Sequence, residues 1–138
     1  MPENNPHFLD SSIWLYPFLR KGSEKKIAAS QDLINLQPAI LSTQVINEVC
    51  ADLIKKGKQS EADIRRFLED VFTNHQVVEL DKNGFITASE FREKYGLSFR
   101  DSLIAAAAFV GGARIIYSED IKAGQIFREV LHTINPLD

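Results

Sequence analysis

What most constrains this chain is a rhythm: short apolar runs of strand character recur between longer stretches with helical spacing. His7-Phe8-Leu9, Ala39-Ile40-Leu41, Gln76–Leu80 with its β-branched Val77-Val78, Ala113–Tyr117 and His132–Ile134 are the short runs. Between them lie helical patterns. Ser11 to Lys21 is one, interrupted near Pro17, and Lys25 to Leu36 is a second, with Ile27, Ala28, Leu33 and Ile34 at helical spacing. Thr43 to Lys56 carries Val45, Ile46, Val49, Cys50, Leu53 and Ile54 on one face and stops at Gly57. Ser60 caps the next helix, with Asp63 three residues on. Thr87 to Tyr95 ends at Gly96, and Ser98 opens Phe99 to Val110, apolar nearly all round and therefore buried. Strands alternating with helices predict an α/β fold with a mainly parallel sheet. All carboxyl ends of such a sheet share one edge, and that edge is where these folds bind ligands.

At 138 residues the chain reads as a single domain over 1–138, large enough to bury a core without disulfides. Its lone Cys50 cannot form an internal bridge, which fits a reducing cytoplasm. No stretch is apolar for long enough to span a bilayer, and residues 1–10 lack the pattern of a secretion signal. A net charge of −3 argues against a general nucleic-acid coat protein but not against a nuclease, in which metal ions supply positive charge at the chemistry. Local basic groups occur at Arg20, Lys21, Lys25 and Lys26, at Lys55, Lys56 and Lys58, and at Arg65 and Arg66. They read either as phosphate contacts or as solvated helix faces.

Against this frame, four acids invite attention. Asp10 closes the first apolar run and so stands at the functional edge; it is also placed to cap the following helix, and the two roles are compatible. Asp120 lies just past the run Ile115-Ile116-Tyr117, with Glu119 as its neighbouring rival. Asp101 follows Ser98 at capping-box spacing, so a purely structural role competes with a chemical one. Glu48 falls off the apolar face of its helix, on the side of Asp52, and by pattern alone reads as solvated.

Four carboxylates brought together must take up protons or bind a cation, since two like charges at ~4 Å cost about 4 kcal/mol at an effective dielectric of 20. Oxygen-only ligands suit Mg2+ or Mn2+. A metal so held activates water and stabilises a phosphoryl centre. The three histidines, His7, His75 and His132, have no metal-ligand spacing.

These segments, in this order, resemble the PIN domain family, of the kind found as the toxin half of VapC-type toxin–antitoxin pairs. Phe8-Leu9-Asp10-Ser11-Ser12 is similar to its opening strand and first aspartate, Leu41 through Glu48 to the segment supplying a glutamate, Leu97 through Ala105 to the third acid and its buried helix, and Ile116 through Asp120 to the last acid. The closing Ile134-Asn135-Pro136 also fits. The resemblance implies a three-layer α/β/α sandwich and a metal-dependent ribonuclease whose catalytic and metal-binding acids are Asp10, Glu48, Asp101 and Asp120, with the Ser118 hydroxyl in support. It implies an RNA substrate, a homodimer, and a cognate antitoxin that occludes the edge by placing a basic residue among the acids. One departure is Ser12, where the family often has an asparagine whose amide would position the first acid.

Other readings compete. Glu79 through Glu90 matches most of an EF-hand calcium loop, with Asp81, Asn83, Gly84 and Glu90 in register but glutamate at the first position. The simpler reading there is a strand, a Lys82-Asn83-Gly84 turn and a helix. A non-catalytic binding protein on the same fold is a second alternative. An aspartyl-phosphate enzyme is disfavoured, because Ser12 stands where such enzymes place a second acid.

Overall fold

The computed structural model describes residues 5–20 and 22–137. Lys21, the expected end of the first helix, lies outside them. The chain runs β1 (His7–Leu9), α1 (Ser11–Leu19), α2 (Glu24–Asn35), β2 (Ile40–Ser42), α3 (Thr43–Lys55), α4 (Glu61–Asn74), β3 (Gln76–Val78), α5 (Lys82–Tyr95), α6 (Phe99–Val110), β4 (Ile115–Tyr117), β5 (Ile126–Phe127) and β6 (Leu131–Ile134). The strands form one sheet in the order β3-β2-β1-β4-β6-β5. Every pairing is parallel except that of β5 with β6. The first strand of the chain is thus central, with Phe8 in register with Ile40 on one side and Ile116 on the other.

Right-handed crossovers place the helices. The chain steps outward from β1 to β3 through α1–α4, then crosses back over the opposite face through α5 and α6 to reach β4. Trp14 of α1 and Phe67 of α4 meet edge to face, as helices of one layer do. On the other face α6 lies close to the sheet because Ala105 to Ala108 keep its surface small. Its end comes so near that a Cβ on Gly111 would sit 2.7 Å from Val78 Cγ2 and 3.2 Å from Ile40 Cγ2. Helices on both faces of a mainly parallel sheet make the expected three-layer sandwich. Val110 is exposed, so the buried run of α6 ends earlier than its composition predicts.

Local boundaries follow the caps. At α4 both halves of the Ser60–Asp63 capping box form. Pro17 lies within α1 without ending it; the helix stops at Arg20, whose φ is 50°. α5 corrects the expectation of a turn: the Asp81 carboxylate accepts a bond from Gly84 N–H at 3.0 Å, which turns Lys82-Asn83-Gly84 into the first helical turn. That cap also overturns the calcium-loop alternative, since nine of the loop's twelve residues, 82–90, are helical and cannot wrap a cation. β5 was not anticipated.

Candidate active site

The carboxyl edge of the sheet gathers the site. Asp10 directly follows β1 and its side chain is fully buried. It caps α1, accepting from Ser11 N–H at 2.7 Å, as the capping reading expects, and it lies at the carboxyl edge of the sheet. Ser118, directly after β4 and likewise buried, donates its hydroxyl to Asp10 Oδ2 at 2.8 Å. The same oxygen accepts from Asp120 N–H at 3.0 Å and Ile121 N–H at 3.1 Å. One hydroxyl therefore orients the first acid and fixes the turn that carries the fourth.

Glu48 lies one helical turn beyond Gln44 on α3, and Asp101 is in the first turn of α6. Ser98 accepts from Asp101 N–H at 3.1 Å, which is half of a capping box; the Asp101 carboxylate turns instead to Arg100 Nη1 at 3.2 Å. Asp120 is the outermost acid, its side chain 61 % exposed and 4.0 Å from Arg100 Nη1. Its rival Glu119 faces away, accepting from Tyr16 Oη at 2.6 Å and Lys26 Nζ at 3.2 Å.

Arg100 is the residue that sequence reasoning missed. Its guanidinium stands among all four acids. Nη2 donates to Asp10 Oδ1 at 2.7 Å, to Glu48 Oε1 at 2.7 Å and to Ser11 Oγ at 3.1 Å; Nη1 reaches Asp10 Oδ2 at 3.2 Å, and Nε donates to Glu48 Oε2 at 3.1 Å. Forked contacts to two carboxylates at once are the strong kind. Burial disfavours the charge of Arg100, but its bonds to Glu48 and Asp10 outweigh this and hold it firmly protonated. Burial likewise opposes ionisation of Glu48, and Arg100 overcomes it, keeping that carboxyl below its usual range. Asp120 is raised, by burial and by the charge of Asp10 beside it. The only sequence signal for Arg100 was a basic residue directly before an acid on the first turn of a buried helix.

The donor set fits a hard divalent cation. It is all oxygen, drawn from four separate segments and arranged about the single guanidinium of Arg100. As the side chains lie, no three of the described His, Cys, Asp or Glu residues already form a ligand group for a metal. The histidines stay outside: His7 and His75 are buried and His132 is exposed. Of the basic groups, Lys26 pairs with Glu119, Lys56 with Asp52 and Arg66 with Asp63. Beside the acids a cleft of about 410 Å³ is lined by Ser42, Gln44, Asn47, Phe85 and Leu103 among others. Ser12 Oγ is buried without a hydrogen-bond partner, so serine supplies no substitute for the asparagine contact.

The family description of the PIN domain matches residues 7–129. The chain belongs to the PIN domain family. PIN proteins are nucleases and in general use divalent metal ions. A toxin–antitoxin complex from Klebsiella pneumoniae is similar in structure at a TM-score of 0.69 and 14 % identity, covering 95 % of this chain and 97 % of that one. VapC20 of Mycobacterium tuberculosis, a toxin that cleaves the sarcin-ricin loop, follows at 0.64 and 18 %, covering 84 % and 91 %. VapBC2 of Rickettsia felis, bound to a DNA fragment from its promoter, gives 0.62 and 19 %, covering 92 % and 97 %. At these identities the likeness is one of fold. No curated protein matches by sequence. No helix among the described residues of this PIN domain is long and apolar enough to cross a membrane.

Proposed function

We propose that this PIN domain is a metal-dependent endoribonuclease that hydrolyses RNA phosphodiester bonds, and that it is the toxin of a toxin–antitoxin pair. The observation that carries the reading is the convergence of Asp10, Glu48, Asp101 and Asp120 on one cation at the carboxyl edge of a PIN sheet. These four residues would hold Mg2+ or Mn2+, which when bound supplies an activated water and stabilises charge on the phosphoryl oxygens. Asp10, fixed by Ser11 N–H and Ser118, is the rigid anchor of the seat. Asp120, 61 % exposed, is the outermost of the four and would complete the ligand set from the solvent side. The cleft beside the acids, with the amides of Gln44 and Asn47 and the exposed ring of Phe85, suits an unstacked base of single-stranded RNA. The toxin reading leans on the structural relatives, among them a toxin–antitoxin complex and an RNA-cleaving toxin. By the same reasoning the partner is a cognate antitoxin; a second copy of the chain rests on the family resemblance alone.

The test is cleavage of single-stranded RNA with and without Mn2+, comparing wild type with Asp10→Asn and Asp101→Asn. Both variants are expected to lose at least 100-fold in rate while staying folded. Equal cleavage by all three proteins refutes the site, and metal-independent cleavage refutes the cofactor. Co-expression with the product of the adjacent gene tests the antitoxin, through relief of growth arrest.

A further inference from the structure

The carboxylate faces that would ligate a divalent ion are the ones Arg100 already bonds. Asp10 and Glu48 each give both oxygens to its guanidinium, and Asp101 gives one. A metal ion cannot take these oxygens while Arg100 is seated. The arginine also has a route out of the seat, against the pull of those bonds. Its side chain is 30 % exposed, it sits on the first turn of α6, and rotation about its own side-chain bonds carries the head toward solvent without moving the backbone.

We propose that Arg100 is a built-in competitor for the metal: it fills the acidic seat of the metal-free protein, and the divalent ion binds only to the population in which Arg100 has swung out. This rests on the four acids being the metal seat. Two consequences follow from the charges. Seated, Arg100 relieves the mutual repulsion of the carboxylates, so the site keeps its shape without metal. Displaced, it leaves its place to an ion of twice its charge, so exchange is favoured once enough metal is present. The arginine therefore sets a threshold concentration for activation. With the open state at ~1–10 % of molecules, apparent affinity is reduced about 10- to 100-fold.

The experiment is calorimetric titration of the full chain with Mn2+, for wild type, Arg100→Met and Arg100→Lys, with the Arg100 Nε–H resonance followed during a parallel Mg2+ titration. Arg100→Met keeps the aliphatic bulk and is expected to bind Mn2+ about 10- to 100-fold more tightly. Arg100→Lys keeps the charge but loses the fork, and is expected to fall between the two. The Nε–H signal is expected to move from a bonded to a solvent-exposed position as Mg2+ fills the site. Metal-free Arg100→Met is expected to melt below wild type and to gain more from Mn2+; a circular dichroism spectrum matching that of wild type shows that the affinities belong to folded protein. Equal Mn2+ affinity in all three proteins, or an Nε–H signal unmoved at saturating Mg2+, overturns the inference and leaves the nuclease reading standing. Failure of every protein to bind Mn2+ overturns both.

Discussion

Ser118→Ala removes a single oxygen atom that serves three partners. In the folded protein that oxygen donates to buried Asp10 at 2.8 Å and accepts from the N–H groups of Asp120 and Ile121 at 3.0 and 3.1 Å. A hydrogen bond to a charged group contributes about 1.5–3 kcal/mol, and a backbone N–H left without a partner costs about 1–3 kcal/mol where water cannot reach it. Ile121 is buried, whereas Asp120 lies at the surface and water can replace its lost bond. The sum is therefore about 2.5–6 kcal/mol, from one charged bond and one stranded donor. For a domain of this length that shifts Tm by roughly 9–20 °C. Urea denaturation at neutral pH in EDTA measures it directly. A double-mutant cycle with Asp10→Asn isolates the charged part. Neutralising Asp10 weakens the bond, so the penalty of Ser118→Ala is expected to shrink by at least about 1 kcal/mol in that background. A loss under about 1 kcal/mol for the single variant, or full additivity in the cycle, refutes the account of Ser118 as the pivot of the site.

Three further outcomes are expected. Phe85→Ala removes an exposed ring from the cleft, and is expected to raise KM for RNA about 5- to 150-fold with kcat within twofold, since a base–aromatic stack is worth about 1–3 kcal/mol; steady-state cleavage of a short oligonucleotide checks it. Gly111→Ala introduces a methyl 2.7 Å from Val78 Cγ2 at a φ of −74° that any residue adopts, so its cost is purely steric, about 1–3 kcal/mol by urea denaturation. His75 accepts from Ala39 N–H through Nδ1 at 2.9 Å and is held below its usual pKa by burial, with Asp70 opposing and His7 adding to the effect. The unfolded chain therefore binds the proton more readily. Stability is expected to fall as pH drops below about 6.5 and to level off beneath the folded pKa. Glutamine at position 75 is expected to flatten that slope in melts from pH 7 to 5.

Sequence and structure agree where local chemistry and burial point the same way. The strand runs, the Ser60 and Ser98 caps and the Gly96 stop were legible because each depends on neighbours in the chain. β5 was not, and the reason is physical. Its hairpin turns at Arg128 and Glu129, both at positive φ, with neither the glycine nor the asparagine that normally marks such a turn. Glu48 looked solvated because a helical wheel shows only what its own helix prefers; its partner is 52 residues away. Arg100 was invisible for the same reason, since nothing local says that a guanidinium reaches across to the end of β1. The rivalry between Glu119 and Asp120 needed three dimensions too: Tyr16 and Lys26 claim the first and leave the second to the edge.

The placing of the first strand at the centre of the sheet has a consequence for the cell that makes this protein. β1 cannot acquire its neighbour β4 until residues 115–117 have been synthesised, and Asp120 comes later still. A ribosome that has translated as far as Gly112 has made Asp10, Glu48 and Asp101, but neither the strand that completes the edge nor the serine that orients the first acid. On the proposed reading the growing chain is harmless to the RNA that surrounds it through most of its synthesis. Its activity begins only with closure of the whole domain, which gives a binding partner an interval in which to be present first.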